Sequence, residues 1–271
     1  GSEMCIRDRG KVWGAFSVSS VFGVPFGLKL ADMYGWRTPF FVIALLSLIG
    51  LFIAWYSLPK MVSHVSDKNH HGLPLKQLFN NKNYLLGYAS SSLGLMAAFM
   101  IIPYIAAYLQ YNLSVKMSEI ENIFFLGGVI SFFAMRLAGS IIDRYSTSFV
   151  GFIGISFVIF SIYFSYIRFL EFMPFVIIFA LFMVGMSVRN VANSTISSKI
   201  PSNYDRAGFM SITSSLSHLF SSLGSGLSSL LISNVDDRLQ GMDKVGMVSA
   251  VIFLFSVILL FMLEKSLNKK A

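Results

Sequence analysis

Charge and sulfur are scarce in this sequence. One cysteine, Cys5, excludes a disulfide framework and any metal site built on cysteine. Only 13% of the residues are charged, about half the share found in soluble domains. There is no "HExxH" helix, no P-loop and no dinucleotide-type glycine motif. This removes the usual signatures of a zinc peptidase, of direct ATP use and of nicotinamide chemistry, and no enzyme in the covalent sense is expected. Acidic residues are missing from the middle of every apolar run: Asp32, Glu119, Glu121 and Glu171 all lie at run ends. His70 and His71 are adjacent in a polar connection with no third ligand nearby, so no metal is expected there.

What is present is apolar. Hydrophobic residues make up 55% of the chain, and 27 residues are Phe. A membrane-spanning helix needs about 20 mostly apolar residues. The chain offers that length eight times, near 12–31, 38–58, 84–109, 122–141, 148–168, 173–195, 209–232 and 246–263. Backbone groups in lipid must pair internally, so each run predicts a helix. The fold class is therefore an all-α polytopic membrane protein.

The net charge of +8 does not point to nucleic acid. Of the 21 Lys and Arg, fourteen fall at the two chain ends, in the 59–83 connection and at alternate turns; six fall on the opposite turns, and Arg189 lies within a run. By the positive-inside rule, both chain ends and the 59–83 connection are cytoplasmic. "LPLKQLF" within that connection predicts a short amphipathic piece at the membrane interface. The start, "GSEMCIRDR", is polar, lacks the apolar stretch of a signal peptide and resembles translated adapter sequence; residues 1–9 are read as a non-native leader.

"VSSVFGVPFGLKLADMYGWRTPFF" (18–41) carries Gly23, Pro25 and Gly27 inside an apolar run. Gly23 and Gly27 share a helix face, and small residues at that spacing let two helices approach closely in lipid. Pro25 bends the helix. A plain packing kink is the blander alternative. A shift of 198 residues places Gly10 on Gly208, Ser17 on Ser215, Ser19 on Ser217 and Phe22 on Phe220, with Gly27 on Ser225 between Gly224 and Gly226. Internal repeats of this kind occur in transporters, with the site at the repeat interface.

The segment from Arg9 to Phe41 resembles the fifth transmembrane helix of major facilitator superfamily transporters, in the drug/proton-antiporter-like branch. The matching residues are Gly10, Gly14, Gly23, Pro25, Gly27, then Gly35-Trp36-Arg37 and Phe40. "RLAGSIIDRYS" (136–146) resembles the family's cytoplasmic loop motif at Gly139, Asp143 and Arg144, and "IPSNYDRAGFMS" resembles the loop before the eleventh helix. The resemblance implies that the eight runs are helices five to twelve: 10–58 the last two helices of the N-terminal bundle, 59–83 the central linker, 84–264 the complete C-terminal six-helix bundle and 265–271 a cytoplasmic tail. It implies a fragment whose first four helices, its missing partners, belong to the same protein, and a monomer when full length. It also implies export of a small molecule across the plasma (inner) membrane by alternating access. No cofactor is implied; a proton gradient supplies the energy. The glycine-proline motif marks exporters in that family.

Candidate site residues follow from burial cost, since ionisable groups within the membrane are functional hypotheses by default. Arg189 begins a polar stripe with Asn190 and Asn193; it can fix an anionic group or pair with an acid, or reach the interface. His218 lies mid-helix among serines and can relay protons, or be satisfied by a neighbouring hydroxyl. Tyr104 and Tyr108, with Tyr111, share a face that suits an external gate or an interfacial anchor. Arg136, Gly139, Asp143 and Arg144 form either a state-dependent latch, as the resemblance implies, or ordinary loop charge. Two rival functions remain: a non-transporting membrane sensor or receptor, and an importer of the same fold.

Overall fold

The structure is a computed structural model describing residues 23, 25–57, 75–142, 144–168, 174–202, 205–236 and 238–269. It divides into two compact units, Gly1–Gly72 and Leu73–Ala271.

In the first unit, α1 covers residues 25–34 and α2 covers Thr38–Ser57. Gly35 separates them with a φ of +92°. Its N–H donates to Ala31 O at 2.9 Å, closing α1 in the left-handed conformation that glycine adopts without strain. Thr38 N then donates to Gly35 O at 3.1 Å and starts α2. The Gly35-Trp36-Arg37 stretch is thus a tight helix–helix turn. Trp36 packs edge-on against Phe40, and the Arg37 guanidinium lies 5.2 Å from the Trp36 ring centroid. Gly23 and Pro25 are helical, and nothing lies within 4 Å of a Cβ built on Gly27. The earlier part of the 12–31 run lies outside the described residues.

The second unit contains α3 (Leu75–Asn80), α4 (Lys82–Ile101), α5 (Ile105–Tyr111), α6 (Met117–Ile142), α7 (Thr147–Ile162), α8 (Phe175–Lys199), α9 (Arg206–Leu231) and α10 (Met242–Asn268). A 3₁₀ turn at Ile102–Tyr104 joins α4 to α5, with Pro103 inside it. Pro103 has no N–H to give to the α ladder, which accounts for the change of helix type. A π turn at Tyr163–Ile167 ends α7.

Packing sets the order α9–α4–α10–α7–α8–α6 around the bundle. Glycines make two of these contacts close. A Cβ on Gly154 would lie 2.8 Å from both Arg189 N and Gly185 O, so the α7 and α8 backbones touch. A Cβ on Gly224 would run into Met96 O, so α9 lies directly on α4. Small residues supply such approaches where apolar burial gives little drive.

At the end of the bundle where α4, α7 and α9 begin, Leu78, Tyr84, Tyr88, Ile196, Ile200, Phe209, Leu260 and Leu263 form one buried cluster. Leu78 ties one side of α3 to that core. At the opposite end lies an antiparallel hairpin that the sequence reading lacks: β1 (Ser233–Val235) paired with β2 (Arg238–Gln240). Asn112 grips it, donating from Nδ2 to Leu239 O at 2.9 Å and accepting from Leu239 N at 3.0 Å.

Six described helices are long and apolar enough to cross a membrane. Helix α9 is long enough but not among them; nine serines and His218 lower its hydropathy. Several hydroxyls bond back into their own helix: Ser221 and Ser222 donate to His218 O, Ser228 to Ser225 O and Ser229 to Gly226 O. Such hydroxyls need no outside partner, so a serine-rich helix can stand among apolar neighbours.

Candidate functional site

Arg189, Asn193 and Ser197 are spaced by four along α8 and therefore share one face. This face meets α4. Arg189 is 4% exposed. Its guanidinium rests on Gly94, where a Cβ would overlap it. The guanidinium lies over the Phe253 ring of α10, with 5.7 Å from Cζ to the ring centroid. Nη1 donates to Asn190 Oδ1 at 3.1 Å. Among the described residues no carboxylate pairs with it.

One turn along, the Ser91 hydroxyl donates to Asn193 Oδ1 at 3.3 Å and accepts from Asn193 Nδ2 at 3.1 Å. Further on, Ser197 Oγ is buried without a hydrogen-bond partner, and so is Ser92 Oγ on α4. The result is a polar seam along α8 and α4, holding one cation and several neutral donors and acceptors. Buried polar atoms are normally partnered, so an interior that leaves some open has capacity for a polar guest.

The other expected residues are dispersed. Asn190 is exposed beside Arg189. His218 is exposed on α9, and its backbone carbonyl accepts from the Ser221 and Ser222 hydroxyls. Tyr104 is partly buried in the 3₁₀ turn. Tyr108 turns toward the π turn: its hydroxyl donates to Ser165 O at 3.3 Å, and its ring meets Tyr166 edge-on at 5.0 Å. Arg136 and Arg144 are exposed and Gly139 faces open space. Asp143, the centre of the expected latch, lies outside the described residues, as do His70 and His71. Among the described residues no group of His, Cys, Asp and Glu could hold a metal ion.

Two acids matter more than the sequence reading allowed. Glu264 of α10 caps the start of α7, directly after the loop motif. It accepts from Thr147 N and Ser148 N at 2.9 Å each and from Ser146 Oγ at 3.0 Å. Helix starts leave N–H groups unpaired and carry partial positive charge, so a carboxylate suits that place. The lone acid at the end of the last apolar run was its only signal in the sequence. Asp205, at the start of α9, is buried at 8% exposure and accepts from Tyr84 OH at 2.9 Å and Ser202 Oγ at 2.7 Å. Counting only mid-run acids passes over it.

The family model for the Major Facilitator Superfamily matches residues 10–225. Among curated proteins, the uncharacterized MFS-type transporter YbcL of Bacillus subtilis is 25% identical over 134 residues, covering 49% of this chain and 34% of that protein. The uncharacterized MFS-type transporter YfhI of the same organism is 28% identical over 137 residues, covering 48% and 33%. The oxalate:formate antiporter of Oxalobacter formigenes is 33% identical over 61 residues, covering 22% and 15%. The match therefore spans about a third of the length of the first two relatives. A family match over most of the sequence, carried on apolar helices packed through glycines around a polar seam, gives the conclusion: this multi-pass membrane chain belongs to the major facilitator superfamily.

Proposed function

We propose that the chain serves secondary active transport: export of a small molecule, coupled to protons, by alternating access. The observation that carries this reading is the Arg189–Asn193–Ser91 seam, which holds a buried cation beside neutral polar partners between α8 and α4. A membrane protein keeps a buried cation at a cost of about 3 kcal/mol or more, so a function is the economical reason for its presence. The glycine-proline stretch at Gly23, Pro25 and Gly27 supports export over import, by resemblance to exporters. Asn190, His218, Tyr104 and Tyr108 are secondary candidates for contact with the substrate or the proton. Arg136, Gly139, Asp143 and Arg144 are proposed as a latch between states.

The proposed location is the plasma membrane, by the family resemblance, and the Lys and Arg distribution supports both ends of this sequence being cytoplasmic. Residues 10–58 would contribute to the N-terminal bundle, 59–83 would link the bundles and 84–264 would form the C-terminal bundle. The proposed protein acts as a monomer, with no cofactor.

Everted membrane vesicles containing the chain test this. A respiratory proton gradient is followed by quenching of an acidotropic dye while a panel of anionic, neutral and cationic small molecules is added. A proton-coupled exporter collapses the gradient for at least one compound, and vesicles without the chain do not. Uniform failure of the panel, with no compound accumulated, would remove the transport reading.

A further inference from the structure

The guanidinium of Arg189 has five N–H donors. One is taken, by the neutral amide of exposed Asn190. The group lies over the Phe253 ring, and a guanidinium's donors lie around the edge of its plane. Buried cations in proteins are otherwise paired with an anion. The remaining charges of α4, α8 and α10, namely Lys82, Lys199, Asp243, Lys244, Glu264 and Lys265, all lie within the first or last few residues of their helices. Among the described residues, no carboxylate offsets this charge, and a single negative charge would balance it.

Resting on the transport reading above, we propose that Arg189 binds the carboxylate of a small organic monoanion. The planar fork of the guanidinium matches a carboxylate's two oxygens. The guest replaces Asn190 Oδ1 on Nη1, and the Asn193–Ser91 pair lies one turn away as a neutral donor set for its polar substituents. Gly94 is the positioning residue: without a side chain it lets the guanidinium lie against α4. A phosphate dianion or a polyacid would bring more charge than one arginine balances.

The test uses the full chain, purified in lipid nanodiscs, and three probes of similar shape: benzoate, benzamide and benzylamine. Thermal unfolding is recorded against concentration at constant ionic strength. Benzoate is expected to raise the melting temperature saturably, and the other two are not. Arg189→Gln should weaken the benzoate response about tenfold or more, the scale of a lost charge-assisted hydrogen bond, and Arg189→Lys should retain part of it. Gly94→Ala displaces the guanidinium while keeping the charge, and should weaken benzoate several-fold even if Arg189→Gln fails to fold. The proposal is overturned if benzoate gives no response, if benzamide matches benzoate, or if Gly94→Ala and Arg189→Gln leave the response intact. Liposome uptake separates the two readings. Arg189-dependent benzoate binding without movement across the bilayer keeps the carboxylate site and removes transport. Movement of benzylamine unaffected by Arg189→Gln keeps transport and removes the carboxylate site.

Discussion

At the scale of the residue, two side chains carry different kinds of argument. Arg189 is buried with one neutral acceptor, which makes it a feature that stability alone does not reward. Glu264 shows the opposite: three donors at the start of α7 converge on it, and each is satisfied. Glu264→Ala is expected to destabilise the bundle by about 1–2 kcal/mol, the scale of a lost helix cap with its charge. Reversible unfolding in mixed micelles measures this, and an unchanged midpoint would mean the cap is replaced by water. The sequence made Arg189 visible because a charge inside an apolar run is conspicuous. It hid Glu264 and Asp205, because acids at run ends look like solvated termini until the neighbouring helix is placed beside them.

At the scale of the element, glycine decides which helices touch. Gly185→Ala would push a Cβ into Gly154 O and Val158, at 2.6 and 2.8 Å. Backbone cannot move aside cheaply, so a loss of roughly 1–3 kcal/mol is expected. Gly226→Ala meets nothing within 4 Å. It should be neutral or stabilising by up to about 1 kcal/mol, since alanine favours helix. The pair separates packing from helix propensity when both are measured by unfolding in the same micelles. The apolar runs predicted the helices well because hydropathy reports a helix without its neighbours: 38–58 became Thr38–Ser57 and 148–168 became Thr147–Ile167. The β1–β2 hairpin was illegible. Its register depends on Asn112, more than 120 residues away in sequence, and on Gly241 at a φ of +94°, where a Cβ would strike Leu231 O. Tyr108 was legible as a tyrosine near a helix end, but not its hydrogen bond to Ser165, which required the π turn of α7.

At the scale of the whole molecule, the Lys and Arg distribution makes a topological prediction. With Cys5 replaced by serine, a cysteine at Asn234 in the hairpin should react with a membrane-impermeant thiol reagent added outside intact cells. A cysteine at Asn268 should react only after the membrane is opened. The reverse pattern would invert the proposed orientation. The serine-rich helix α9 belongs to the same scale: the 209–232 run predicts a span and the helix forms there, less apolar than the six others, with close backbone contact to α4 at Gly224.

The account rests on the Arg189 seam being reached from both sides of the membrane in turn. The most direct measurement places a single cysteine at Asn190, the exposed neighbour that holds the guanidinium, in a chain with Cys5 replaced by serine. Its modification by a small hydrophilic thiol reagent is followed in right-side-out and everted vesicles, with and without a proton gradient. Alternating access predicts reaction from both sides, with rates that shift in opposite directions when the gradient is imposed. Reaction from one side only, unchanged by the gradient, would contradict it.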